Sequence, residues 1–265
     1  MSDADTWLSR ARAIVEATRP LLDNYGLAPD PGLTVALDGH PCPGYRHDTG
    51  QILFCPPVVE SGRDRLRWLF FCRVMGCADL DEAVAFYEVA LPLIVCHELA
   101  HHLRYSLGVA AESSFIEEQV CDRIAVALVE RMPAHAATLA PLWARCRPMR
   151  ARLGAEYEGR AGAQFLPGLG EALVARAELD EGRLAALEAL AAGSDAPLLE
   201  LLEVAVGRDA VEAARASRDE AQVMVDSRYT EDPSEYWYLS LTWVESYLGR
   251  PRAVDLQDVV RDHLQ

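Results

Sequence analysis

The segment "LPLIVCHELAHHLRYSLG", Leu91 to Gly108, constrains this chain more than any other stretch, because it sets three histidines and a glutamate within six residues behind an apolar run. The spacing predicts a helix. Residues four apart share a helical face, so His97 and His101 can aim their imidazoles at one point. Glu98 follows His97 and precedes His101 by three, so its carboxylate lies beside that point and can reach a water held there. The H-E-x-x-H arrangement supplies two metal ligands and a general base in one turn. Such a site needs a third His, Asp or Glu from a neighbouring element and an open fourth position for water.

The next helical stretch, "SSFIEEQVCDRIAVALVE", offers that ligand. Ser114 and Glu117 fit a capping box, with Ser114 as N-cap and Glu117 reaching back to its backbone amide. Glu118 is then left to face inward as the third ligand. Asp122, one turn further on the same face, can accept the second ring N–H of a metal-bound histidine and fix its tautomer.

"HELAH" followed by the E-x-x-x-D element "EQVCD" resembles the gluzincin class of zinc metallopeptidases. The soluble prenyl-protease-like and the phage-exclusion peptidases look similar at the same level, and Cys121 stands where the former often have alanine. The resemblance covers about Leu91 to Glu130. It implies one Zn2+ held by His97, His101 and Glu118, Glu98 as the base, Asp122 as the support of a histidine, and a peptide or protein as substrate. It also implies a Tyr, His or Arg that stabilises the oxyanion. Tyr236 and Tyr238, in the aromatic stretch "DPSEYWYLSLTWVESYLGR", and Arg104, seven residues after His97, are the candidates for oxyanion or substrate contact.

Plainer readings stand beside these. Tyr236, Trp243 and Tyr247 recur at helical spacing, as core residues do. Arg104 can pair with Asp122 or Glu117 instead of a substrate carboxylate. His102 points away from the His97 direction and reads as a solvent-facing or packing histidine. Cys96 and Cys121 read as small buried residues, and His47 with Asp48 as part of a turn. Two alternatives to the peptidase also remain. Two histidines and one carboxylate form the facial set of non-haem iron oxygenases, so iron is the alternative metal. A zincin-like scaffold can also serve as a regulatory binding module, with the helical C-terminal half as the surface for a protein partner.

Composition narrows the chemistry further. With 41 acidic against 25 basic residues and a formal charge of −16, the chain repels phosphate backbones, so no nucleic acid is expected as partner. It contains no lysine, which excludes Schiff-base catalysis, a Ser/Lys dyad and a Walker-type phosphate loop. The 7 cysteines are scattered and odd in number, unlike a disulfide framework. The first residues, "MSDADTWLSRAR", carry acids where a secretion signal would carry positive charge, and "VALPLIVC", the longest apolar run, is too short to span a bilayer. No membrane association and a cytoplasmic location are the expectation.

The chain reads as α+β and predominantly helical: a zincin-like core with a small sheet packed on the active-site helices over 1–132, then a helical C-terminal half over 133–265. "ADTWLSRARAIVEATRPLLDNYG" has helical apolar spacing and closes on Gly26. "LTVALDG" and "GQILFCPPV" read as strands that pair as a hairpin or as neighbours, with the turn-rich "GHPCPGYRHDT" between them. "SGRDRLRWLFFCRVMGC" reads as a helix. Within "LDEAVAFYEVALPLIVCHELAHHLRYSLG", Pro92 marks a kink or a fresh helix start. Helical patterns then recur at roughly 115–131, 134–153, 170–192, 196–206, 209–228, 233–249 and 254–264.

Overall fold

The computed structural model of the protein describes residues 3–37, 43–59, 64, 68, 77–111, 114–148, 182, 185, 208–209, 256 and 260–261. It is mostly helical with one small three-stranded sheet. The chain divides into two compact units. Met1–Pro56, Ala85–Arg147 and Ser240–Gln265 form the one that carries the histidine run; Pro57–Val84 and Pro148–Leu239 form the other.

Helix α1, Asp3–Asn24, buries Trp7, Ala11, Ile14, Val15 and Leu22 along one stripe, the period expected of a helix with one face on a core. It ends where the glycine signal places the stop. Gly26 has φ +66°, its N–H bonds to the Asp23 carbonyl, and the Leu27 N–H bonds to the Leu22 carbonyl. This pair of bonds satisfies the last carbonyls and turns buried Leu27 back onto buried Leu22.

Strand β1 (Thr34–Leu37) runs parallel to β3 (Gln51–Phe54), with Val35 opposite Ile52. Strand β2 (Gly44–Arg46) lies antiparallel on the other side of β3, with Tyr45 opposite Ile52, giving the order β1-β3-β2. The two expected strands are therefore neighbours and not a hairpin. The hairpin is made by β2 and β3 through the turn His47–Gly50, in which Gly50 takes φ +63°. Alternation along β3 sends Ile52 and Phe54 into the core, where the Phe54 ring stands 6.4 Å from Trp7 of α1 and 6.2 Å from Tyr87.

Helix α2, Leu80–Ser106, is continuous, so Pro92 lies inside a single helix and does not begin a new one. Its start is fixed by Asp79, whose carboxylate accepts the Glu82 N–H at 2.8 Å while the Glu82 carboxylate takes the Ala78 N–H. Its end repeats the α1 device: Gly108 has φ +66°, and the Val109 N–H bonds to the Arg104 carbonyl. Between these caps α2 is apolar nearly all round, with Leu91, Val95, Cys96, Leu99, Ala100 and Leu103 buried. By length and composition α2 is long and apolar enough to cross a membrane, yet 67% of its most apolar window is buried inside the protein, as in a core helix.

Helix α3, Ser114–Arg131, buries Val120, Ile124, Ala125 and Leu128, and a short turn of helix, α4 (Pro133–Ala136), follows it. Residues 139–148 are helical, with Leu142 and Cys146 inside. Of the helix expected over 61–77, Asp64, Trp68 and Cys77 are described; Asp64 and Trp68 are helical, Cys77 lies outside any helix, and Trp68 and Cys77 are buried. The helices expected from 170 onward lie almost wholly outside the described residues. The five cysteines among the described residues are buried.

Candidate metal centre

Two helices build the site, and a buried ion pair sets their register. Arg104, on the last turn of α2, is 0% exposed. Its Nε donates to Glu117 of α3 at 2.9 Å, and its two terminal nitrogens donate to the carbonyls of Val260 and Val109, each at 2.7 Å. Glu117 also accepts the Ala111 backbone N–H at 2.7 Å. Glu117 is thus held by Arg104 and Ala111; the Ser114 side chain, the expected cap, lies outside what is described. Arg104 is engaged in a buried ion pair with Glu117, the plainer of its two readings. With α3 pinned in this way, its next inward residues, Glu118 and Asp122, face the histidines of α2.

His97 Nδ1 stands 2.8 Å from Asp122 Oδ1, and His97 Nε2 stands 2.9 Å from Glu118 Oε2. His101 Nε2 is 3.1 Å from His97 Nε2 and 3.4 Å from Glu118 Oε1. One ligand atom from each of His97, His101 and Glu118 lies within 4.8 Å of the others. Two ring nitrogens cannot turn lone pairs on each other at 3.1 Å unless a proton or a cation lies between them. A tetrahedral site with bonds of about 2.0–2.1 Å sets neighbouring ligand atoms about 3.3–3.4 Å apart. The donor set fits a zinc-sized ion with movements of a few tenths of an ångström. A Nδ1–H bond to Asp122 leaves the Nε2 lone pair of His97 for that ion.

The second imidazole is also held from behind. His101 Nδ1 is 3.3 Å from Cys121 Sγ, and Cys121 Sγ is 3.6 Å from Glu117 Oε1. His101 Nδ1–H donates to the sulfur, the thiol donates to Glu117, and Arg104 compensates the Glu117 charge. His101, Glu117 and Cys121 are close enough to be counted as a second ligand group. Arg104 already saturates Glu117, and burial, with the Glu117 and Glu118 carboxylates, pushes the Cys121 thiol far up, so the sulfur stays protonated. These three groups orient His101.

Charge in the cluster is strongly coupled. Burial works against the charged form of His97, but the Asp122 and Glu118 carboxylates outweigh it and hold its pKa well above the usual value. Burial alone would raise Glu118, but bonds from His101 and His97 hold it far below the usual carboxylate range. Glu98, 6% exposed, goes the other way: burial pushes its carboxyl up, reinforced by Glu118 and Asp122 and only partly offset by the histidines. Two carboxyls of one cluster are thereby driven apart, Glu118 toward its anion and Glu98 toward its protonated form.

A cavity of about 310 Å³ opens on this cluster, lined by Glu98, His101, Tyr105 and Glu118 from the helices and by Tyr45 and His47 from β2 and its turn. Tyr45, on β2, was hidden in a stretch whose prolines and glycines read as turn, whereas His47, read with Asp48 as part of that turn, lines the cavity. His102 is not solvent-facing but packed inside, as the second of its two readings has it: it is 3% exposed and bonded to the Asp30 N–H and the Tyr45 hydroxyl. Tyr236 and Tyr238 lie outside the described residues. No family model matches the chain, and no curated protein or solved structure does either.

Proposed function

We propose that this protein is a zinc-dependent peptidase of gluzincin type, with a zincin-like core, that hydrolyses a peptide bond in a peptide or protein substrate in the cytoplasm. The convergence of His97, His101 and Glu118 on one point, with Asp122 behind His97 and Glu98 at its side, is the observation that carries this reading. A zinc ion held by these three groups supplies a Lewis acid that acidifies water and polarises a carbonyl. The protein's own groups do the rest. Asp122 keeps His97 in the Nδ1–H tautomer, and the Cys121–Glu117–Arg104 chain does the same for His101. Glu98, whose affinity for a proton is raised by burial, takes the proton of the attacking water and returns it to the departing amine. The cavity is at the small end of ligand pockets, which suits recognition of one side chain and the bond beside it.

Glu98→Gln tests the reading directly. It keeps the shape and removes the base, so metal content should stay at the wild-type value while hydrolysis of a peptide pool, followed by mass spectrometry, disappears. Unchanged hydrolysis in Glu98→Gln would refute the role of Glu98 and with it the mechanism.

A further inference from the structure

His102 is the one imidazole of the HELAHH run turned away from the cluster, and its neighbours fix its tautomer. The Asp30 backbone N–H donates to Nε2 at 3.2 Å, so Nε2 carries no proton and the neutral ring must hold its proton on Nδ1. Nδ1 is 3.0 Å from the Tyr45 hydroxyl, so it is the ring that donates and the phenol oxygen that accepts. A phenol that accepts this bond keeps its own proton to give. Among the described residues no acceptor takes that proton.

Tyr45 is well placed to use it. Its backbone is fixed opposite Ile52 on β3, its ring meets the His102 ring edge-on at 5.4 Å, and it lines the same cavity as Glu98, His101 and Glu118. Burial, with Tyr105 and Asp30 nearby, raises its pKa, so the phenol stays protonated. We infer that Tyr45 donates a hydrogen bond to the substrate's carbonyl oxygen as that oxygen takes up negative charge, while His102 holds the phenol in position from behind. The inference rests on the hydrolytic reading of the site and deepens it. It places the oxyanion donor on the edge strand of the sheet and leaves the aromatic stretch around Tyr236 without that task. A fixed donor of this kind acts most where charge develops in the transition state.

The test compares the wild type with Tyr45→Phe, both loaded with cobalt(II), using inorganic phosphate as a tetrahedral anion and the visible cobalt spectrum as the readout. Both proteins should take up cobalt with equal affinity, and Tyr45→Phe should bind phosphate about tenfold or more weakly, the loss of one hydrogen bond to a charged group. Nitrogen-15 NMR of histidine-labelled wild type supplies a second readout that needs no variant to fold: His102 should be the Nδ1–H tautomer. Equal phosphate affinity in the two proteins, or His102 found as the Nε2–H tautomer, would overturn the role of Tyr45 and leave the metal site standing. Failure of the wild type to take up cobalt would overturn the hydrolytic reading itself, and this role with it.

Discussion

Replacing Arg104 by methionine should cost far more than removing one surface charge. The side chain is 0% exposed and, among the described residues, donates to the Glu117 carboxylate, 10% exposed, and to the carbonyls of Val109 and Val260. Methionine fills much of the same volume, so little of the loss comes from a cavity. What remains is a buried carboxylate whose donors among the described residues, the Ala111 N–H and the Cys121 thiol, are neutral, together with two carbonyls deprived of a strong donor. Removing one partner of a buried pair costs about 3–5 kcal/mol. For a chain of this size each kcal/mol moves the midpoint by about 2–4 °C, so Tm should fall by about 6–20 °C. Urea and thermal unfolding by circular dichroism measure this. Arg19→Met, which breaks an exposed pair with Glu16 within α1, should change stability by less than about 1 kcal/mol. The double variant Arg104→Met, Glu117→Leu should recover much of the loss, because no uncompensated charge is left inside. A loss below about 1 kcal/mol for Arg104→Met would refute the claim that this pair locks α3 to α2.

Other consequences follow from the same geometry. Asp122→Ala removes the acceptor of the His97 Nδ1–H and should weaken metal binding by about 10–100-fold, read by competition with a chromophoric chelator; unchanged affinity would show that Asp122 has no part in holding His97. Because Asp122 and Glu118 hold the His97 pKa well above its usual value, that ring in the metal-free protein holds a proton more tightly than an ordinary imidazole. Metal must displace it, so affinity should fall as pH drops through that raised pKa, and calorimetry in buffers of different ionisation enthalpy should detect proton release; binding without release would contradict this. The sign for folding follows as well. A raised histidine pKa stabilises the metal-free protein below the unfolded value and loses that contribution as pH rises through the folded one. Thermal scans of the chelator-treated protein should show that decline, and the metal-loaded protein should not follow it. Cys121→Ala cuts the chain behind His101 and should weaken metal binding, with partial recovery in Cys121→Ser.

How much of this was legible in the sequence depends on the range of the interaction. Helix α1 and its stop at Gly26 follow from local spacing and one residue's backbone freedom. The shared face of His97 and His101, and of Glu118 and Asp122, follows from helical periodicity alone. Strand β2 did not show, because three residues carry no usable period and the prolines and glycines around them signal turn. Whether β1 and β3 form a hairpin or lie side by side is a tertiary fact, settled when β2 takes the other edge of β3. Pro92 forfeits one helical hydrogen bond, but the apolar residues on every side of α2 keep that helix in the core as one piece. Glu117 fits a capping box by its spacing from Ser114, and only the fold shows that a buried guanidinium thirteen residues earlier holds it. His102 shows the same limit: its wheel position says where the ring points, and only the fold brings Asp30 and Tyr45 to meet it.

Elemental analysis of the wild type and of Glu118→Ala, both purified without added metal, bears most directly on the central claim. One zinc per chain in the wild type, lost or much weakened in the variant, is the predicted result. Stoichiometric iron would keep the three-residue site and move the chemistry to oxidation, whereas no metal in either protein would contradict the account.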